Sequence, residues 1–333
     1  MFCRQTAIMQ RIAGAIRPAL FVALVLAAWG PGAAALAQAR YPAKPVTLVI
    51  PAAAGGGLDV SMRHVARRLS DILGVPVVVE NRPSVNLLVG TRHVAGAPPD
   101  GHTLLAISNT FVGAAVFDET AGYDPFRDFI PIAPTAQAPN LLLVNTSSGI
   151  TSARDLVERA KKGGANQLAF GSAGVGSSPH VAAVLFARAT GTEFIDVPYK
   201  GAAPAMLDLL GGRIAFLFDS VSSALPHLKS GSLRALAATT AQRSTLVADV
   251  PTMNEALGLN DYDLPLFYGI AVPAKTPPEA VATLHAALTR ASADAELREQ
   301  FARMGFDLVG MKSPDEYSRF LRQQFDKQKS LRR

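Results

Sequence analysis

Cysteine is nearly absent from this 333-residue chain: Cys3 is the only one. It sits in an N-terminal stretch built as a secretory leader. Arg4, Arg11 and Arg17 form a basic region, Ala19–Trp29 is an apolar core too short to span a bilayer, and Ala37-Gln38-Ala39 is a small-x-small cleavage site, with Ala35-Leu36-Ala37 as a second candidate. Residues 1–39 are therefore expected to be a signal peptide, removed on secretion. Cys3 is far upstream of the cleavage region, where a lipid-anchored cysteine would not fall. Cleavage leaves a chain with no cysteine, which excludes disulfides and thiol chemistry.

A strong charge excess is missing too. The leader carries three arginines and no acid, so its loss takes the net charge from +6 to +3. No run of Lys/Arg occurs before Leu331-Arg332-Arg333, and nucleic acid is not an expected partner. No later segment reaches about 18 uninterrupted apolar residues, so the mature chain is expected to be soluble. Its length suits two domains of ~100–150 residues.

Catalytic signatures are sparse. There is no G-x-S-x-G around any serine and no Ser-x-x-Lys before any lysine. His64, His93, His102, His180, His227 and His285 include no H-E-x-x-H and no pair spaced for zinc. No metal and no cofactor is expected. His180, beside a Gly/Ser turn, is read as a residue that shapes that turn. Asp59 and Asp219 could be taken as an acid/base pair. For Asp59 helix capping is the better reading, while Asp219 could hold either the neighbouring turn or a ligand.

What the chain does contain is an alternation of strand and helix signals around one organising stretch, Val46 to Asp59. Val46 to Ile50 is short, β-branched and apolar, the pattern of a buried strand. Ala54-Gly55-Gly56-Gly57-Leu58-Asp59 follows, and a helix is expected from Asp59, with apolar residues at Met62, Val65, Ala66, Leu69, Ile72 and Leu73 and a stop at Gly74. A helix start has unpaired N–H groups and partial positive charge, and glycine lets an anion approach the backbone closely. The turn can thus cradle a carboxylate or phosphate, or serve as an ordinary strand-to-helix turn. It is not a P-loop, since Leu58-Asp59 stands where Lys-Ser/Thr is needed. Nor is it a dinucleotide fingerprint, since no glycine follows Gly57 until Gly74.

Further strands are expected over 75–80, 103–107 (ending at Ser108), 141–144, 168–170, 194–197, 214–218, 233–239 and 267–272. Helices are expected around 87–95, from the Ser152/Asp155 box to Gly163, from Ser178 as N-cap to Gly191, to Leu210, to Lys229, and in two or three pieces to about 329. The segment 123–129 is polar and turn-rich and is expected on the surface. Strands separated by helices imply an α/β fold of mainly parallel sheets flanked by helices on both faces. Ligands of such sheets bind beyond the strand C-termini. Four turns then form one set: 52–59, 171–178 (with Gly174, Gly176, Ser177 and Ser178), 198–201 (with Tyr199 and Lys200) and 219–223 (with Asp219 and Ser220). Phe267-Tyr268 supplies either an aromatic wall or core.

The motifs, taken together, resemble the tripartite tricarboxylate transporter solute-receptor family, the Bug-type periplasmic binding proteins. The pieces are Tyr41-Pro-Ala-Lys-Pro45, Val49-Ile-Pro51 with Ala54-Gly-Gly-Gly57 and Asp59, Val78-Val-Glu-Asn-Arg-Pro83, Pro99-Asp-Gly-His-Thr-Leu104, Gly171-Ser-Ala-Gly-Val-Gly-Ser-Ser-Pro-His180, Val197-Pro-Tyr-Lys-Gly201, Asp208-Leu-Leu-Gly-Gly212, Phe218-Asp-Ser220 and Asp249-Val-Pro-Thr252. The resemblance implies a "Venus flytrap": lobe 1 from 40–141 and 266–333, lobe 2 from 142–265, and a cleft between them. It implies a periplasmic receptor for a small organic acid that serves a membrane permease or a sensor, as a monomer. A secreted enzyme acting on a small acid is the alternative. Carried over by position, the ligand turns are Ala54 to Asp59 and Gly174 to Ser178, with Asp219 and Ser220 nearby. Two departures stand out. Leu58 replaces the hydroxyl residue usual after the glycines, and Ser84-Val85-Asn86-Leu87-Leu88 replaces a Gly-rich loop. Both point toward a greasier pocket and a monocarboxylate or aromatic acid.

Overall fold

The first strand, β1 (Val46–Ile50), is the predicted one, with four of its five residues buried. The computed structural model describes residues 41–163, 167–199 and 202–332; the predicted signal peptide lies outside them. Helix α1 (Gly57–Leu73) begins two residues earlier than the sequence suggests, and Asp59 falls in its first turn. Its buried residues Leu58, Met62, Val65, Ala66 and Leu69 form one stripe, and Gly74 ends it in the left-handed conformation (φ 72°), its N–H bonding back to the Ser70 carbonyl. The chain continues through β2 (Val77–Asn81), α2 (Leu88–Ala95), β3 (Thr103–Ser108), α3 (Asn109–Phe117) and β4 (Phe129–Ala138). After the single residue Pro139 come β5 (Asn140–Asn145), α4 (Ala153–Lys162), β6 (Ala169–Ser172), α5 (Ser178–Thr190), β7 (Ile195–Pro198), α6 (Ala202–Leu210), β8 (Phe216–Ser220), α7 (Val221–Lys229), β9 (Leu233–Ala238) and α8 (Met253–Leu257). Finally β10 (Leu266–Pro273), α9 (Pro278–Ser292), α10 (Ala295–Arg303), β11 (Asp307–Leu308) and α11 (Pro314–Leu331) complete it.

Two sheets result, ordered β11-β4-β10-β3-β1-β2 and β7-β6-β8-β5-β9. Both are mixed. In the first, β1, β2, β3 and β4 share a direction while β10 and β11 oppose them. In the second only β5 opposes the rest. The opposed strands β10 and β5 directly follow the chain's two passages between sheets. The second sheet is covered on both faces: Leu142 and Val144 join a core with Phe186, Phe216 and Phe218, while Leu141 and Leu143 join another with Met206 and Leu209. That double burial is why Leu141 to Val144 reads as an unbroken apolar run.

The passages between sheets meet in a small polar lattice. Asn140 N–H donates to the Thr239 hydroxyl (3.0 Å), which donates to the Leu264 carbonyl (2.8 Å). Asn109 donates to the Pro265 carbonyl and accepts from Phe267 N–H, both at 2.8 Å. The last helix, α11, spans both halves: Ser330 accepts from Arg188 of α5, while Arg332 reaches the Val116 carbonyl at the end of α3.

Three expectations needed correction. Segment 123–129 is not a surface loop: Tyr123 and Phe129 are buried, Tyr123 donates to the Phe111 carbonyl (2.7 Å) and all three rings pack together. Helix α3 was not expected because most of its residues are buried and no amphipathic period survives. Strand β4 was not expected because Pro131 and Pro134 interrupt it. Both fit because β11 pairs only with Ala136 and Gln137, so the rest of β4 is an edge on that side. No helix among the described residues is long and apolar enough to cross a membrane.

Candidate functional site

A cavity of about 1020 Å³ opens between the two sheets, near the upper end of the ~300–1,000 Å³ common for small-molecule sites. Gly55, Gly56, Gly57, Leu58 and Ser108 line it from the first half; Ser177, Ser178, Asp219 and Ser220 line it from the second. Ala54, Asp59, Gly174, Gly176 and Tyr199 are not among its lining residues. Lys200 lies outside the described residues.

The non-lining residues have other partners. Asp59 is buried and accepts from Gly55 N–H (2.9 Å), Arg63 and Asn81 (2.8 Å), which pins the glycine turn from behind. Burial alone would raise its carboxyl; the bonds from Arg63, Gly55 and Asn81 outweigh that and hold it below the usual carboxylate range. The capping expectation for Asp59 is thereby corrected: the N-cap is Gly56, no side chain caps the helix, and Asp59 bonds instead to Gly55 N–H outside it. Tyr199 donates to Asp208 (2.8 Å). Gly176 N–H donates to His180 Nδ1 (3.2 Å), so His180 does shape the turn, and burial pushes its imidazole pKa down. The Gly176 backbone lies against that of Gly113.

Three of the helix starts at the cavity share a property. α1 (N-cap Gly56), α3 (N-cap Ser108) and α5 (N-cap Ser177) have no side-chain cap. Away from the cavity, α4, α8, α10 and α11 are each capped by Ser152, Thr252, Asp294 or Ser313, and only α9, which starts at Pro277-Pro278, is not. α7 also faces the cavity but is capped by Ser220. Uncapped first turns leave N–H donors and partial positive charge facing the cavity. The N-cap of α5 is Ser177, one residue before the expected Ser178. The Ser177 hydroxyl accepts from Ala173 N–H (3.2 Å) and that of Ser178 accepts from Asn140 Nδ2 (2.7 Å), so each keeps a proton to donate.

Sequence reasoning missed Asn140 and Thr110 in the lining and left Tyr268 undecided between wall and core. Tyr268 is directly opposite Ser108 across the β10–β3 ladder, and both are buried. Thr110 belongs to the unexpected helix α3, and Asn140 carried no local signal.

Both departures from the family pattern reach the cavity, through Leu58 and Leu87. Asn86 and Leu87 hold left-handed backbone (φ 54° and 62°), the conformation a glycine loop adopts freely. Leu87→Gly should therefore raise stability by about 1 kcal/mol, the strain of one left-handed leucine, in a denaturant titration. It should also weaken binding of apolar acids by removing wall surface.

Two mixed α/β sheets with a cavity between them, ringed by uncapped helix starts, define a two-lobed solute-binding protein. The chain belongs to the tripartite tricarboxylate transporter family of receptors, whose model matches residues 61–333. It is 33% identical to Protein BugT of Bordetella pertussis over 292 residues, 87% of this chain and 88% of that one. Among solved structures it is similar to Rhodopseudomonas palustris Rpa4515 with adipate (TM-score 0.80, 32% identity, 87% and 97% of the two chains). It is likewise similar to MatC of the same species with bound malate (TM-score 0.80, 28% identity, 87% and 99%). The family is one of periplasmic binding proteins, not of enzymes.

Proposed function

We propose that this protein captures a small organic acid in the periplasm, after cleavage of its leader, and presents it to a membrane permease or a sensor. Lobes 40–141 with 266–333 and 142–265 close on the solute, with joints near 142 and 265. The chain passes between the two sheets at Pro139 and again just before β10. The acid group meets the starts of α1 and α5, where Gly57 and Leu58 N–H and the hydroxyls of Ser177 and Ser178 are available. The observation that carries this reading is the absence of side-chain caps on those helix starts. The adipate and malate held by similar receptors agree with it.

Among the described residues no lysine or arginine is buried, so neutral donors and helix ends carry the contact with the acid. Hydrogen bonds to a charged group are worth ~1.5–3 kcal/mol each. Ser177→Ala with Ser178→Ala should therefore weaken acid binding by roughly 10- to 100-fold or more in calorimetry, with the circular dichroism spectrum unchanged. Unaltered affinity would remove the α5 start from the site.

A further inference from the structure

One buried acceptor at the edge of the cavity has no partner, and it points across the molecule. Asn86 precedes Leu87 in the left-handed stretch of the first half and is 8% exposed. Its Nδ2 donates to Asp118 Oδ2 (2.9 Å), just past the end of α3. The same carboxylate accepts from Thr120 N–H (2.9 Å) and the Thr120 hydroxyl (2.6 Å). A carboxylate only accepts, so the bond from Nδ2 fixes which way round the Asn86 amide sits. Asn86 Oδ1 is the end turned away from Asp118, and it is buried with no hydrogen-bond partner.

What Oδ1 faces is the second half. A Cβ added at Gly174 would stand 2.7 Å from Asn86 Oδ1 and 3.5 Å from Val85 Cγ1. Gly174 also has φ 107°, so the turn before α5 can pass this close to Asn86 only with glycine there. Three N–H groups of that turn are engaged inside the second half. Ala173 donates to the Ser177 hydroxyl, Gly174 to that of Ser172 and Gly176 to His180 Nδ1, each at 3.2 Å. Val175 N–H, between them, has no partner among the described residues. An unmet acceptor and an unmet donor thus belong to the two sides of one seam, where a buried carbonyl oxygen is costly until it is bonded. The seam borders the cavity: Leu87 follows Asn86, Ser177 follows the turn, and both are lining residues.

We infer that Asn86 is a latch that holds the two lobes shut: anchored to Asp118 in the first lobe, its Oδ1 accepts from Val175 N–H of the second. The latch ties the turn that carries Ser177 and Ser178 to the first lobe. The inference rests on the two-lobed receptor reading and adds a positioning residue to it. Asn86 is not among the residues lining the cavity and acts through the turn before α5. It belongs to the loop that departs from the family's Gly-rich pattern, so the latch is a property of this chain's own residues.

The test is backbone hydrogen exchange of the leader-free chain, followed residue by residue by NMR with no solute added. Wild type is compared with Asn86→Gly, Asp118→Ala and the double variant. Glycine keeps the left-handed backbone without strain and removes only the amide, so Asn86→Gly should keep the fold. Neither substitution alters a neighbour of Val175, so its intrinsic exchange rate is unchanged. Val175 should exchange at least about tenfold faster in Asn86→Gly than in wild type, while Gly176, bonded to His180 within its own lobe, keeps the wild-type rate. Asp118→Ala should speed Val175 by a similar factor, and the double variant no more than either alone, because anchor and latch act as one unit. Equal exchange at Val175 in wild type and Asn86→Gly overturns the inference, as does a parallel rise at Gly176, the mark of a merely structural loosening. Additive effects in the double variant overturn it too. No solute enters this test, so its failure leaves the acid-receptor reading standing; that reading is decided separately, by acid binding.

Discussion

Gly113→Ala should lower the thermal midpoint by roughly 5–10 °C, because overpacking a close contact costs ~1–3 kcal/mol or more. Gly113 lies in α3 of the first half. A Cβ there would stand 2.0 Å from the Gly176 carbonyl oxygen and 3.0 Å from Gln328 Oε1. The obstacle is backbone and cannot rotate away. Gly176 belongs to the turn before α5 in the second half, so the two halves meet backbone to backbone. It also has φ 82°, which a side chain would strain. Gly96→Ala is the control, since its Cβ would meet nothing closer than 3.8 Å; its midpoint should match wild type. A Gly113→Ala midpoint equal to that of wild type would mean that α3 and the turn before α5 do not touch in solution.

Asp219→Asn should stabilise the protein above neutral pH and leave it unchanged at pH 4. Burial lifts the Asp219 carboxyl from 3.8 to about 6, against the smaller opposing effects of Ser220 N–H and of the nearby Ser223 and Ser220 hydroxyls. A carboxyl whose folded pKa is raised favours folding while protonated, and that advantage is lost as pH rises through about 6. At pH 8 ionisation in the folded state thus costs on the order of 1–3 kcal/mol, at 1.36 kcal/mol per unit. Asparagine keeps an oxygen for Ser220 N–H and carries no charge. The gap between variant and wild-type midpoints should therefore open between pH 4 and pH 8; a constant gap would show that Asp219 is not held in a desolvated place. Stability given up at one wall position is what a binding site that awaits a partner for that group would show.

The legible parts of this chain were those whose physics is local. β1, α1 and the caps at Gly74 and Gly191 follow from residue type and spacing alone, as does the Ser152 cap of α4. The glycine turn before α1 and the serines before α5 were read as helix starts, and the structure sets both on one cavity. What local rules could not supply was burial on all sides. Helix α3 has no polar face, and β4 carries prolines that only an edge would tolerate. With α3 unseen, Thr110 and the third uncapped helix start went unseen too. Residue type suggests Asp59 as a cap for α1, but only the fold shows that it is engaged by Gly55 N–H, Arg63 and Asn81 behind the turn and leaves the helix start uncapped. Tyr268 needed the antiparallel pairing of β10 with β3, a contact between residues 160 apart in the chain, to bring it beside Ser108.

The place of β10 has a consequence for how the molecule assembles. It sits between β3 and β4, so the first sheet stays split until residues 266–273 are available. The second sheet is built from the continuous run β5 to β9 and needs nothing from either end of the chain. Contacts distant in sequence are slow to close and near ones fast. During synthesis from the N-terminus β1, β2 and β3 can pair with one another, but β4 and the facing edge of β3 must wait or be shielded while the middle of the chain folds: the half that is made first is finished last.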